Sequence, residues 1–268
     1  MDTETALLKK SPLANIYHCC THKSGSQWLK AIFNDDIIYT HTGLKQYEYM
    51  VDMKDGEDPR KGTERFFDSP FPDKTIGSPM YITYDSYRKI PKTGEHRGVF
   101  ILRDPRDLVV SWYFSLRYSH AKSGGVGAHR DNLNSMEFIE GLKDALRSLM
   151  DFGIVEAQRT WVNACDDTVL VSKYEDLIGP ESGVFFKEIF THCKIDLPDD
   201  ELSGLTDRYS FEKMSGGRRP GEEDREKHLR KGISGDWKNY FSESVKDEFK
   251  EKTTDLLITL GYERDMNW

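Results

Sequence analysis

Three short runs of apolar and β-branched residues, 14–20, 98–102 and 168–172, stand out along the chain, each bounded by polar turn residues. Runs of this length predict strands of a parallel sheet covered on both faces. Apolar positions recur at helical spacing over residues 26–34, 106–116, 135–150, 154–165, 183–192 and 242–260. Strands alternating with helices across short connections predict an α/β fold of three layers, its central parallel sheet holding about five strands. Stretches 54–72, 119–134 and 215–228 are rich in Gly, Pro or charge and read as mobile loops. In such a fold, ligands sit beyond the carboxyl ends of the strands, and loops supply the walls.

Composition narrows the picture. The 268 residues, 37% of them hydrophobic, suffice for one sizeable core, so residues 1–268 are expected to form a single domain. A net charge of −8 argues against a general nucleic-acid or membrane-surface binder. No basic leader with an apolar core opens the sequence and no apolar run reaches the length of a membrane span, so a cytoplasmic protein is expected. Cys19, Cys20, Cys165 and Cys193 follow no metal-ligand spacing. Cys19 and Cys20, adjacent on a strand, must face opposite sides and are expected to stay reduced.

Chemistry enters at His22-Lys23-Ser24-Gly25-Ser26-Gln27-Trp28, where the first strand turns into the first helix. A helix start leaves backbone N–H groups pointing at one spot, and a lysine, two hydroxyls and a glycine complete a cradle for a polyanion. A nucleotide P-loop places Lys after its second glycine; here Lys23 precedes the only one. Two further segments carry cations: Arg103-Asp104-Pro105-Arg106-Asp107, leading to Ser111, and Arg230-Lys231-Gly232-Ile233-Ser234-Gly235-Asp236-Trp237-Lys238.

In these three segments the chain resembles the PAPS-dependent sulfotransferases of the cytosolic type. The first is similar to their 5′-phosphosulfate loop, TYPKSGTTW, with P-loop-like character. The second is similar to the 3′-phosphate segment, RNPKDVAVSYY, and the third to the closing RKGxxGDWK. Weaker echoes lie at Tyr174-Glu175-Asp176 and at Tyr209-Ser210-Phe211-Glu212-Lys213-Met214 (family TSFxxM), so the resemblance spans roughly residues 14–245. It implies PAPS as co-substrate, PAP (adenosine 3′,5′-bisphosphate) as product, no metal, and a small-molecule acceptor. It further implies that Lys23, Ser24, Gly25, Ser26, Gln27 and Trp28 hold the 5′ side of the donor. Arg103, Ser111, Arg230, Lys231 and Gly232 would hold the 3′-phosphate, and Tyr174 and Ser210 would complete the adenosine pocket. Lys23 would meet the charge appearing on the leaving group. Arg106 reads as a surface helix residue pairing with Asp104 or Asp107.

The pattern breaks at the general base. Where the family carries Lys-Thr-His, this sequence reads Ile82-Thr83-Tyr84, and an unperturbed tyrosine, with a pKa of about 10, is a poor base. Tyr84 occupies the position; His41 is the leading replacement, with His22, Asp85 and His120 behind it and Glu48 and Asp52 also near. His228, like His96, His129 and His192, has no motif behind it. The acceptor could equally be a hydroxyl or a nitrogen, with a specialised natural product preferred, and a donor-binding module without turnover is the alternative. The family's dimerisation pattern, KxxxTVxxxE, lacks its Thr-Val pair at 238–243, so the oligomeric state is left open.

Overall fold

The computed structural model of the chain describes residues 11–49, 63–120 and 126–268. In chain order these residues form β1 (Asn15–Cys20), α1 (Ser26–Phe33), α2 (Asp36–Thr42), β2 (Lys45–Tyr47), β3 (Thr75–Tyr81), α3 (Tyr84–Lys89), β4 (His96–Leu102) and α4 (Pro105–Phe114). A π-helical turn (Ser115–Ser119) extends α4, and α5 (Val126–Ser135), α6 (Phe138–Asp151), α7 (Ile154–Val162), β5 (Val169–Lys173) and α8 (Tyr174–Leu177) follow. Then come α9 (Ser182–His192), α10 (Asp199–Arg208), α11 (Phe211–Met214), a 3₁₀ turn (Asp236–Asn239), α12 (Glu243–Thr253) and α13 (Leu256–Thr259).

The five strands form one parallel sheet in the order β2-β3-β1-β4-β5. Every residue of β1 is buried, as the continuous apolar run requires. Alternation splits β1 between two cores: Tyr17 and Cys19 join α3, α4, α6, α7, α12 and α13 on one face. Ile16 and Cys20 join α1, α2, α8, α9 and α10 on the other. That division is the expected three-layer α/β arrangement, and it puts the adjacent thiols on opposite sides. All four cysteines are free; Cys165 is exposed and the others buried.

Gly77 and Pro79 interrupt the apolar run of β3 and hide this strand from the hydrophobic pattern. Proline survives beside the central strand because the register shifts there: Tyr17 pairs with Gly77 but Cys19 with Met80, leaving one extra residue on β3. The stretch 119–134, read as a loop, is helical from residue 126, and residues 121–125 lie outside the described residues. The expected helix 242–260 divides at Thr254, whose backbone is left-handed (φ 52°). Asp52 and residues 54–62 also lie outside the described residues.

From β1 the sheet extends to β3 and β2 on one side and to β4 and β5 on the other. The crevice at the carboxyl ends of β1 and β4 is therefore the topological switch point, the place where open α/β sheets take their ligands. Lys23 follows one of these strands and Arg103 the other.

Candidate active site

The turn after β1 reverses direction through two left-handed residues, Lys23 (φ 69°) and Gly25 (φ 83°), and Gly25 caps α1 with no side-chain hydrogen bond. The first-turn N–H groups of α1 are thereby left for a ligand. A Cβ on Gly25 would come within 2.9 Å of the Tyr174 ring, so this position needs glycine for space as well as for φ.

Arg103 locks this turn from the end of β4. Its Nη1 donates to the carbonyl oxygen of Lys23 at 2.6 Å, and its guanidinium lies 4.4 Å from the centre of the Tyr174 ring. Its Nε is buried and makes no hydrogen bond, so one donor of this guanidinium is left unspent on protein. Burial first, then the charges of Arg103 and Arg230, pull the Lys23 ammonium down to about 7.

Lys23, Arg103, Arg230 and Lys231 line one cavity of about 100 Å³, into which Gln27, Ser26 and Ser111 also face; among the described residues no carboxylate lines it. A chain of net charge −8 thus concentrates four cations around one small space. Arg230 and Lys231 are steadied from behind by Asp236, at 2.5 and 2.7 Å, and Arg230 also by Glu223. Burial works against the charge of Asp236, yet the bonds from Lys231, Arg230 and Asn239 outweigh it and hold this carboxyl below its usual range. Gly232 (φ 65°) brings the backbone against Phe211; a Cβ there would lie 2.3 Å from the ring.

A second cavity of about 240 Å³ opens from the first across Gly25, Trp28, Tyr174, Phe211, Leu229 and Gly232. Phe186, Ile178 and Met214 make its wall apolar, and Ser210 stands at its edge. Trp28 meets Tyr174 and Phe186 edge-on, and its indole N–H donates to the Tyr209 carbonyl at 2.7 Å. The pair of cavities suits a flat aromatic group carrying phosphates.

Most of the donor residues expected from the sequence therefore converge on these two cavities. Ser24 does not: its hydroxyl is buried and donates to the Thr21 carbonyl at 2.7 Å, shaping the turn from within. Neither proposed base reaches the cavity. His41, on α2, pairs with Glu201 of α10 at 2.6 Å. Tyr84, on the opposite face of the sheet, donates to Asp166 at 3.1 Å and packs on Trp161; burial, then Asp166, raise its pKa. Arg106 is no surface residue either. It is 3% exposed, bonded to Asp104 and Glu263 and flanked by the rings of Trp237 and Trp268 at 3.9 and 4.6 Å.

Three residues enter that the motifs did not assign. Tyr81, at the end of β3, bonds Ser26 Oγ at 2.9 Å and accepts from Gln27 at 3.2 Å. His22 stacks on Tyr81 with centroids 4.2 Å apart and meets Trp112 edge-on. His228 lines the cationic cavity with Lys23. Strand alternation past Pro79 would have found Tyr81; no sequence signal marks His228.

Comparison with known proteins bears on what this site belongs to. The model of the family described as "Sulfotransferase domain" matches residues 16–261. A flavonol sulfotransferase-like protein of Flaveria bidentis is 25% identical over 274 residues, covering 94% of this chain and 84% of that one. Sulfotransferase 2A2 of Mus musculus is 27% identical over 164 residues, covering 57% of this chain and 53% of that one. Among solved structures, mouse sulfotransferase SULT7A1 complexed with PAP superposes with a TM-score of 0.57 at 19% identity, over 92% of this chain and 85% of that one. Retinol dehydratase in complex with androsterone and inactive cofactor PAP gives 0.54 at 14%, over 93% and 82%. With the turn after β1, the cavity at the switch point and residues 16–261 all accounted for, the chain belongs to the sulfotransferase family.

Proposed function

We propose that this enzyme transfers a sulfuryl group from PAPS to a hydroxyl or nitrogen of a small-molecule acceptor by in-line displacement assisted by Lys23. PAPS is the co-substrate of this family, and PAP is its product. The observation that carries the reading is the cavity lined by four cations and, among the described residues, by no carboxylate, joined to an aromatic-walled one. The first suits the phosphates and the second the adenine, which lies against Trp28 and Phe211.

Sulfuryl transfer, like phosphoryl transfer, is largely a matter of positioning and charge neutralisation. Arg103, Ser111, Arg230 and Lys231 hold the 3′-phosphate, and the N–H groups opening α1 hold the 5′-phosphate. Lys23 meets the charge developing on the bridging oxygen as the sulfur–oxygen bond breaks. Its lowered pKa suits it to an anion, because the donor's negative charge restores the ammonium.

The acceptor is a specialised small molecule, and the enzyme works in the cytoplasm. Among the described residues no helix is long and apolar enough to cross a membrane. No group of His, Cys, Asp or Glu side chains among them could hold a metal ion. Calorimetry with PAP and ATP tests the donor site: PAP should bind about 10²-fold more tightly, the worth of one or two charge-assisted hydrogen bonds. Tighter binding of ATP would overturn the reading. Release of PAP from PAPS separates the enzyme from a binding module without turnover.

A further inference from the structure

We infer that His228, carried by the arm that precedes Arg230, is the catalytic base that takes the acceptor's proton. The inference rests on the donor reading above and assigns the role that neither Tyr84 nor His41 can reach.

Position comes first. His228 is an exposed side chain of the 215–231 arm, yet it lines the same cavity as Lys23, the residue assigned to the leaving oxygen. The arm is not loose. Gly221 N–H donates to the Lys231 carbonyl at 2.8 Å and Asp224 N–H to that of Arg230 at 2.9 Å. The Arg218 guanidinium clips the carbonyls of Leu229 and Arg230 at 2.5 and 2.8 Å. These bonds fix the backbone directly after His228, so the imidazole is presented by a braced segment.

The other histidines at this end of the sheet are placed differently. His22 is buried between Tyr81 and Trp112 and does not line the cavity. His120 lies edge-on to Trp112 at 6.2 Å, beyond the π-helical turn. Of the described histidines, His228 alone lines the donor cavity.

Electrostatics then suit it to the task. The charge of Lys23 above all brings its pKa down to about 4. The charged groups around the cavity are Lys23 from the turn after β1, Arg103 from the end of β4, and Arg230 and Lys231 from its own arm. The arm's carboxylates, Glu223 and Asp236, are engaged by Arg230 and Lys231. The imidazole is therefore neutral and able to accept a proton. A bound donor adds negative charge beside Lys23, which raises the His228 pKa toward the range where a general base works best.

The step balances. The acceptor's oxygen or nitrogen forms a bond to sulfur while the bond from sulfur to the 5′-phosphate oxygen breaks. The electron pair of the broken bond stays on that oxygen, beside Lys23, and the acceptor's proton passes to the free imidazole nitrogen of His228. Products are PAP and the sulfated acceptor.

An acceptor-independent experiment tests this, using the full chain, PAP as probe and water as acceptor. The imidazole C2–H resonance of His228, assigned by its loss in His228→Gln, should titrate well below the usual 6.5 and move up by about one unit or more when PAP saturates the site. His228→Gln should bind PAP within threefold of wild type, yet release PAP and sulfate from PAPS about 10²-fold more slowly. A resonance indifferent to bound PAP, or wild-type hydrolysis by His228→Gln, overturns the assignment. Failure of the wild-type chain to bind PAP would instead remove the donor reading and this inference with it.

Discussion

The guanidinium of Arg103 reaches from the end of β4 to the carbonyl oxygen of Lys23, 2.6 Å away, and so holds the left-handed turn that aims Lys23. One side chain thereby shapes the turn after β1 while its buried Nε makes no hydrogen bond. Lysine could keep the charge but not the fork, and it could not lie flat against Tyr174. Arg103→Lys should fold normally and lose about 30- to 100-fold in PAP affinity, the worth of one or two charge-assisted bonds. Calorimetry reads the affinity, and wild-type binding would mean that the guanidinium touches no phosphate.

Gly232 answers to two constraints at once. Its φ of 65° favours glycine, and a Cβ would stand 2.3 Å from Phe211. Gly232→Ala must displace the Phe211 ring, a wall of the second cavity, or shift the backbone between Lys231 and Ile233. Stability should fall by about 1–3 kcal/mol, and PAP affinity should fall with it. Urea unfolding and calorimetry measure the two separately. An unchanged affinity would show that the Phe211 wall is not used.

His41 and Tyr84 provide a control for the assignments. Each is committed to a carboxylate, Glu201 and Asp166, on opposite faces of the sheet. His41→Gln and Tyr84→Phe should leave PAP release from PAPS within a few-fold of wild type. Tyr84→Phe should lower stability by about 1 kcal/mol, the value of one hydrogen bond, and His41→Gln by about 1 kcal/mol or less, the value of an ion pair near the surface. Loss of turnover with a normal melting temperature in either variant would return that residue to the reaction.

What could be read from the sequence follows the range of the interactions involved. β1, β4 and β5 announce themselves through local apolar runs, and the cations of the donor cavity stand one turn beyond those strands or in a compact motif. β3 hides behind Gly77 and Pro79, because the register shift that tolerates them belongs to its neighbour β1. The break at Thr254 has no glycine or proline to signal it. Counting along the chain points to Tyr84, but the strand ends at Tyr81, and it is Tyr81 that turns to Ser26 and Gln27. His228 and Lys23 come to line one cavity only through the fold of the 215–231 arm, and no local pattern encodes that approach.

Lys23, a buried ammonium beside Arg103 and Arg230, weakens the ligand-free fold. Burial, Arg103 and Arg230 lower its pKa from 10.5 to about 7. Between those values the unfolded chain binds a proton that the folded chain does not, so stability rises with pH across that window. The destabilisation is complete below pH 7 and lifts toward 10.5. Lys23→Met, which keeps the stem and drops the charge, should therefore melt above wild type near pH 6 without ligand. The gap should close as pH rises through the window. PAP inverts the order: its charge raises the Lys23 pKa, so near pH 8 wild type takes up a proton on binding and gains more in melting temperature than the variant. Thermal melts of both proteins at about pH 6, 8 and 9.5, with and without PAP, decide the matter. If Lys23→Met melts below wild type near pH 6 and tracks it at every pH, Lys23 carries no desolvated charge, and its place at the leaving oxygen falls.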